Sequence, residues 1–178
     1  MKNKIFKYDF LIVGAGLIGS LAAMALHQKK YNVLVIEKNK SLPKDQRTLA
    51  VNANSRDFLN KLGIWKNLKS NFESIDKIVI KDYINKNDLI FQNAEESMGS
   101  VIFNRSLLKT SREYLIRNKI LFNNIDFKLS NFKPKTIVLI NSKKYCFNKV
   151  IISLGKNYEN SEKIKKNTFD LGHHAYVG

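Results

Sequence analysis

A chain of 178 residues with 44% hydrophobic content is long enough to bury one sizeable core, and its length reads as a single domain. Its formal net charge of +16 invites a nucleic-acid partner, yet 26 of the 31 basic residues are scattered lysines, and no basic cluster is interleaved with stacking aromatics as a nucleic-acid groove requires. Cys146 is the only cysteine, which excludes an intramolecular disulfide and makes a reducing cytoplasm the simplest compartment.

The first element in chain order lies within residues 8–40, YDFLIVGAGLIGSLAAMALHQKKYNVLVIEKNK. One reading is a membrane or export signal: Lys2, Lys4 and Lys7 precede an uncharged run over 10–28, and Ala23-Met24-Ala25 has the character of a cleavage site. Asp9 at the head of the run, and Gly14, Gly16 and Gly19 inside it, oppose the continuous apolar helix such a signal needs. The other reading is a nucleotide cradle. Residues 8–13 form a short apolar strand, Leu17, Leu21, Met24 and Ala25 recur at helical spacing, and 32–36 form a second apolar strand ending at Glu37.

Gly14-x-Gly16-x-x-Gly19 then falls at the strand-to-helix turn. Gly14 permits the tight turn, Gly16 lets a pyrophosphate approach the backbone, and Gly19 lets the helix pack on the strand. The free N–H groups near Leu17 and Ile18 face the phosphates at the positive end of the helix dipole. Glu37, about 20 residues further on, accepts hydrogen bonds from ribose hydroxyls. Its charge repels a 2′-phosphate and so disfavours NADP.

Residues 41–52 read as a loop and 53–62 as a helix with Phe58, Leu59 and Leu62 on its buried side; Gly63 stops it, and Ile64 and Trp65 pack after it. Strand patterns follow at 77–81, 88–92 and 100–103, a helix at 105–117, and strands near 125–129, 136–140 and 149–153. This order predicts an α/β fold: a Rossmann-like domain with a β-α-β start and a β-rich insertion. Residues 1–75 and 105–155 would form the nucleotide-binding core, with 76–104 and 156–178 as substrate-side strands. There is no nucleophile elbow or kinase signature. His27 and the His173-His174 pair lack companions at metal-ligand spacing. No catalytic or metal-ligating side chain is therefore assigned, and the chemistry falls to a bound cofactor.

Beyond the cradle, three segments carry a family likeness: DQRTLAVNANSRDFLNKLGIW (45–65), MGSVIFNRSLLKTSREYL (98–115) and FDLGHHAYVG (169–178). With them the chain resembles the N-terminal half of FAD-dependent aromatic hydroxylases of the para-hydroxybenzoate hydroxylase type, most closely those of ubiquinone biosynthesis. The resemblance implies FAD rather than NAD at the cradle. It implies Arg47 near the pyrophosphate and ribityl region, where a guanidinium donates several hydrogen bonds, and Arg105 near the ribityl chain. It further implies a monooxygenase that uses NAD(P)H and O2 to hydroxylate a polyprenylated phenolic quinone precursor at the cytoplasmic face of a membrane, where a basic exterior suits peripheral attachment.

Two departures from the family pattern stand out. Ser153-Leu154-Gly155 occupies the place of an Ala-Asp-Gly motif, putting leucine where the family has an acid. The sequence also reaches only about halfway through the family's usual extent, so the second flavin motif and most of the substrate wall would come from further chain or from a second polypeptide. Alternatives of other classes are a non-catalytic nucleotide-binding remnant, half of a split flavoprotein, and a plain NAD-binding module.

Overall fold

A computed structural model describes residues 4–155 except 45, 69–71, 83, 85, 94–96 and 129–130, together with 169 and 172. In chain order the elements are β1 (Ile5–Val13), α1 (Leu17–Gln28), β2 (Val33–Ile36), β3 (Thr48–Asn52), α2 (Ala53–Lys61), a 3-10 turn (Trp65–Leu68), β4 (Phe72–Ile75), β5 (Lys77–Lys81), β6 (Asp88–Gln92), β7 (Gly99–Phe103), α3 (Asn104–Arg117), β8 (Leu121–Phe122), β9 (Ile137–Ile140) and β10 (Lys143–Ile152). This is the mixed α/β architecture expected from the sequence.

The central sheet has five strands in the order β8-β2-β1-β10-β9. β1 is parallel to both β2 and β10, β8 is parallel to β2, and only β9 runs antiparallel, against β10. Side chains alternate faces along a strand, so β1 sends Ile12 to one core and Leu11 and Val13 to the other. The first core joins Ile12, Val33 and Val35 to Ala23 and Met24 of α1, Leu107 and Leu115 of α3, and Leu59, Leu62, Ile64 and Trp65 around α2. The second, on the opposite face, gathers Leu34, Ile36, Val138, Tyr145 and Phe147. Where the sheet is covered on both sides, at β2 and at residues 10–13 of β1, the strands read as unbroken apolar runs.

In the second core the β1–β10 register sets Phe6 beside Tyr145 and Tyr8 beside Phe147, with ring centroids 5.4 and 6.0 Å apart. Burial pushes the Tyr145 hydroxyl above its ordinary value, and Tyr8 adds to the shift. A group raised on folding contributes stability that is full below its unfolded pKa, about 10 for tyrosine, and is lost as pH rises through the folded value. Tyr145→Phe keeps the ring contacts, so its stability curve is expected to fall less steeply above about pH 10 than that of the unaltered chain, as followed by urea unfolding at stepped pH.

Several expectations are corrected. Residues 41–52 are not all loop: β3 forms at their end and pairs antiparallel with β7, which also pairs with β4 in a separate three-stranded sheet. α2 buries Leu59, with Leu62 just beyond it, but Phe58 is exposed, one step round the helix from the buried side. Asn52 caps α2 by accepting a hydrogen bond from the Ser55 N–H at 2.9 Å. The described residues 125–128 are not a strand; Ile125 is buried and donates its N–H to the Glu37 carbonyl, while β2 finds its outer partner in β8. β10 begins at Lys143, well before the expected 149, because its first half pairs with β9. Almost all of 156–178 lies outside the described residues.

Candidate functional site

The uncharged run over 10–28 is divided between β1, the glycine turn and α1, and among the described residues no helix is long and apolar enough to cross a membrane. At the turn the three glycines differ in their surroundings. Gly14 has φ +101°, and a Cβ there would collide with the Ser153 carbonyl oxygen on the chain leaving β10; a Cβ on Gly19 would collide with the Gly14 carbonyl oxygen. Around Gly16 a Cβ would meet nothing within 4 Å. Two glycines are thus consumed by internal packing, and the third faces open space at the head of α1. Gly16 is the N-cap and has no side chain to satisfy the first N–H groups of the helix, which leaves those of Leu17 and Ile18 for an anion. Ile18 itself is exposed.

Glu37 stands at the end of β2 and is buried. Its backbone is fixed on both sides, with the N–H donating to the Phe122 carbonyl and the carbonyl accepting from Ile125. One carboxylate oxygen, Oε2, accepts the Ala15 N–H of the glycine turn at 2.7 Å; the other, Oε1, accepts the Asn39 N–H at 2.9 Å and its side-chain amide at 3.2 Å.

A residue that sequence reasoning missed completes this cluster. Arg112 of α3 is buried, brings Nη2 to 3.4 Å from Glu37 Oε2, donates from Nε to the Ala15 carbonyl at 2.8 Å, and reaches the Ser41 carbonyl from Nη1 at 3.5 Å. Desolvation lowers its pKa and the Glu37 charge raises it, and a guanidinium remains charged throughout. The signal was present: Leu107, Leu108, Ser111, Arg112 and Leu115 share the buried face of α3, and an arginine in that phase needs an acid beneath it.

The two arginines singled out from the sequence are both exposed. At one end of the β3–β7 ladder the N–H of Asn104, the residue before Arg105, donates to the Arg47 carbonyl at 2.9 Å. Arg47 leads into β3 and Arg105 lies in the first turn of α3. Leu154, in the place of the family's acid, packs against the second core beside Gly14. His27 is bonded through Nδ1 to the Tyr114 hydroxyl at 2.9 Å, and His173 and His174 lie outside the described residues. Among the described residues no cluster of metal-ligating side chains forms.

A family model described as an FAD binding domain matches residues 7–120, more than half of the chain. No curated protein matches the chain in sequence. Among solved structures, the flavin-dependent brominase Bmp2 superposes with a TM-score of 0.65 at 15% identity, covering 85% of this chain and 39% of its own. CtdE, solved in complex with FAD and a substrate, gives 0.62 at 19% identity, covering 82% and 37%. The p-nitrophenol 4-monooxygenase PnpA from Pseudomonas putida DLL-E4 gives 0.61 at 14% identity, covering 84% and 41%. The chain therefore spans well under half the length of these structures, and at such identities the likeness is one of fold. The glycine turn, the acid closing β2 and Arg112, which ties the two together, all lie within the matched residues, and the chain belongs to the FAD-binding domain family.

Proposed function

We propose that this chain is the nucleotide-binding portion of an FAD-dependent aromatic hydroxylase of the ubiquinone-biosynthesis type. The observation that carries the reading is the open backbone at Gly16, beside a helix N-terminus and a buried carboxylate on the adjacent strand. The residues fit the group: Gly16, Leu17 and Ile18 offer room and N–H donors to the pyrophosphate, Glu37 accepts from the adenosine ribose, and Arg47 and Arg105 serve the pyrophosphate and ribityl chain. Bound FAD supplies redox and oxygen-transfer chemistry, with NAD(P)H as electron donor and a phenolic quinone precursor as acceptor. The chain's own residues bind and orient it.

Completion by further polypeptide is part of the proposal. Ile78, Val79, Ile80, Leu89, Ile90 and Phe91 of the two-stranded β5–β6 sheet are all exposed, an apolar surface that a substrate-side domain would cover. The basic exterior suits peripheral contact with an anionic membrane face. A second reading, a nucleotide-binding remnant without catalysis, is favoured by Leu154 in place of the acid.

Calorimetric titration with FAD and with NAD tests the cofactor, and FAD is expected to bind while NAD does not; tight NAD binding with none for FAD rejects it. The 178 residues alone are expected not to hydroxylate a quinone precursor, because most of the water-poor pocket such chemistry needs is not among them. Coupled NAD(P)H oxidation and hydroxylation by the isolated chain would sink the requirement for further polypeptide.

A further inference from the structure

We infer that Arg112 is the positioning residue of the nucleotide site, setting which oxygen of Glu37 is offered to the ribose; the inference rests on the nucleotide reading above. The cluster has an inner and an outer side. Oε2 is held inward by the Ala15 N–H and by Arg112, both from buried residues. Among the described residues Oε1 is met by Asn39, an exposed residue whose side-chain amide makes the longer of the two contacts, 3.2 Å against 2.9 Å. A carboxylate has about four acceptor positions, and here four donors surround it. A sugar hydroxyl must displace one of them. The exposed Asn39 amide yields, since water replaces its lost bond; Arg112 does not, since its release would leave a buried charge unpaired.

Arg112 also acts on the phosphate side. Its Nε holds the Ala15 carbonyl while Glu37 holds the Ala15 N–H. Both backbone polar groups of Ala15, the residue before Gly16, are thereby tied to the Glu37–Arg112 pair, so the open turn and the carboxylate are set in one geometry. α3 supplies this tie from 97 residues away in sequence. Among the described residues Arg112 is the buried cation that faces Glu37: Lys38, next in the chain, is exposed and pairs with exposed Asp126, and the glycine turn carries no ionisable side chain.

The test measures ADP against 2′,3′-dideoxy-ADP by calorimetry on the full chain, because only the first carries the hydroxyls that reach Glu37. The unaltered chain is expected to prefer ADP by about tenfold, the scale of a hydrogen bond to a charged group. Arg112→Met should bring that ratio close to one by weakening ADP more than dideoxy-ADP, and in a Glu37→Gln background it should alter the ratio no further. Arg112→Lys keeps the charge but lacks the fork; it should lower the ratio severalfold and carries the test if Arg112→Met does not fold. A folded variant that retains the full ratio, or loses affinity for both ligands alike, overturns the positioning role. Failure of the unaltered chain to bind ADP overturns the nucleotide reading itself, which separates the two.

Discussion

Gly14→Ala is expected to destabilise the chain by about 3 kcal/mol or more, combining a strained left-handed backbone with an overpacked contact, whereas Gly16→Ala should leave the unfolding transition almost where it was. The two glycines sit two residues apart, and what separates them is their surroundings. At Gly14 φ is +101° and the added methyl is driven into the Ser153 carbonyl, part of the backbone that continues from β10 and has nowhere to retreat; at Gly16 the φ is −67° and the methyl enters open space. Under the proposed function Gly16→Ala loses nucleotide affinity instead, because the methyl stands where a pyrophosphate would approach. Urea unfolding and FAD titration on both variants check the contrast. A stable Gly14→Ala chain would mean that the turn is looser than its contacts indicate.

The second large effect belongs to Glu37. Glu37→Ala should cost about 3–5 kcal/mol of folding stability, the scale for leaving a buried charge without its partner, since Arg112 would keep its guanidinium among buried neighbours after losing the acid it pairs with. Replacing both, Glu37→Gln with Arg112→Met, should recover most of that loss, because a neutral pair of similar volume carries no uncompensated charge. Denaturant midpoints of the single and double variants decide the matter, and additive losses would show that the pair is not a unit. Nucleotide affinity measured on Glu37→Ala therefore mixes folding with binding, and the glutamine variant is the cleaner probe.

The β-α-β start was legible because each of its parts is locally determined. An apolar run, a glycine turn, a helical period and a second apolar run appear in chain order, and each adopts the structure its own residues favour. β5 and β6 were found at their full extents for the same reason. What escaped was non-local. β3 and β4 are short segments of mixed polarity whose strand state comes from pairing with β7 between them, and β8 is two residues made a strand by β2. Phe58 was assigned to the core from its hydrophobicity, which does not tell on which side of a helix the core lies. Arg112 was passed over for another reason: Arg47 and Arg105 were singled out by the family resemblance, while the arginine that reaches the glycine turn lies further along the same helix as Arg105. Of the proposed cofactor ligands, Gly14, Gly16, Gly19 and Glu37 converge at one turn, while Arg47 is tied by its backbone to Asn104, the residue before Arg105.

The position of β1 has a consequence for how the chain is made. Its pairing with β2 involves near neighbours in sequence, but its other edge is closed only by β10, where Ile5 pairs with Lys144 and Val13 with Ile152. During synthesis the N-terminal β-α-β unit emerges early, yet the second backbone edge of β1, a row of N–H and C=O groups, stays unpaired until residues beyond 143 have cleared the ribosome. Such an edge is a template for strands of other chains, and contacts of this separation are slow to form. The nascent protein thus carries an open strand edge until β10 is made, and holding that edge apart from other nascent chains falls to the cell's chaperones until then.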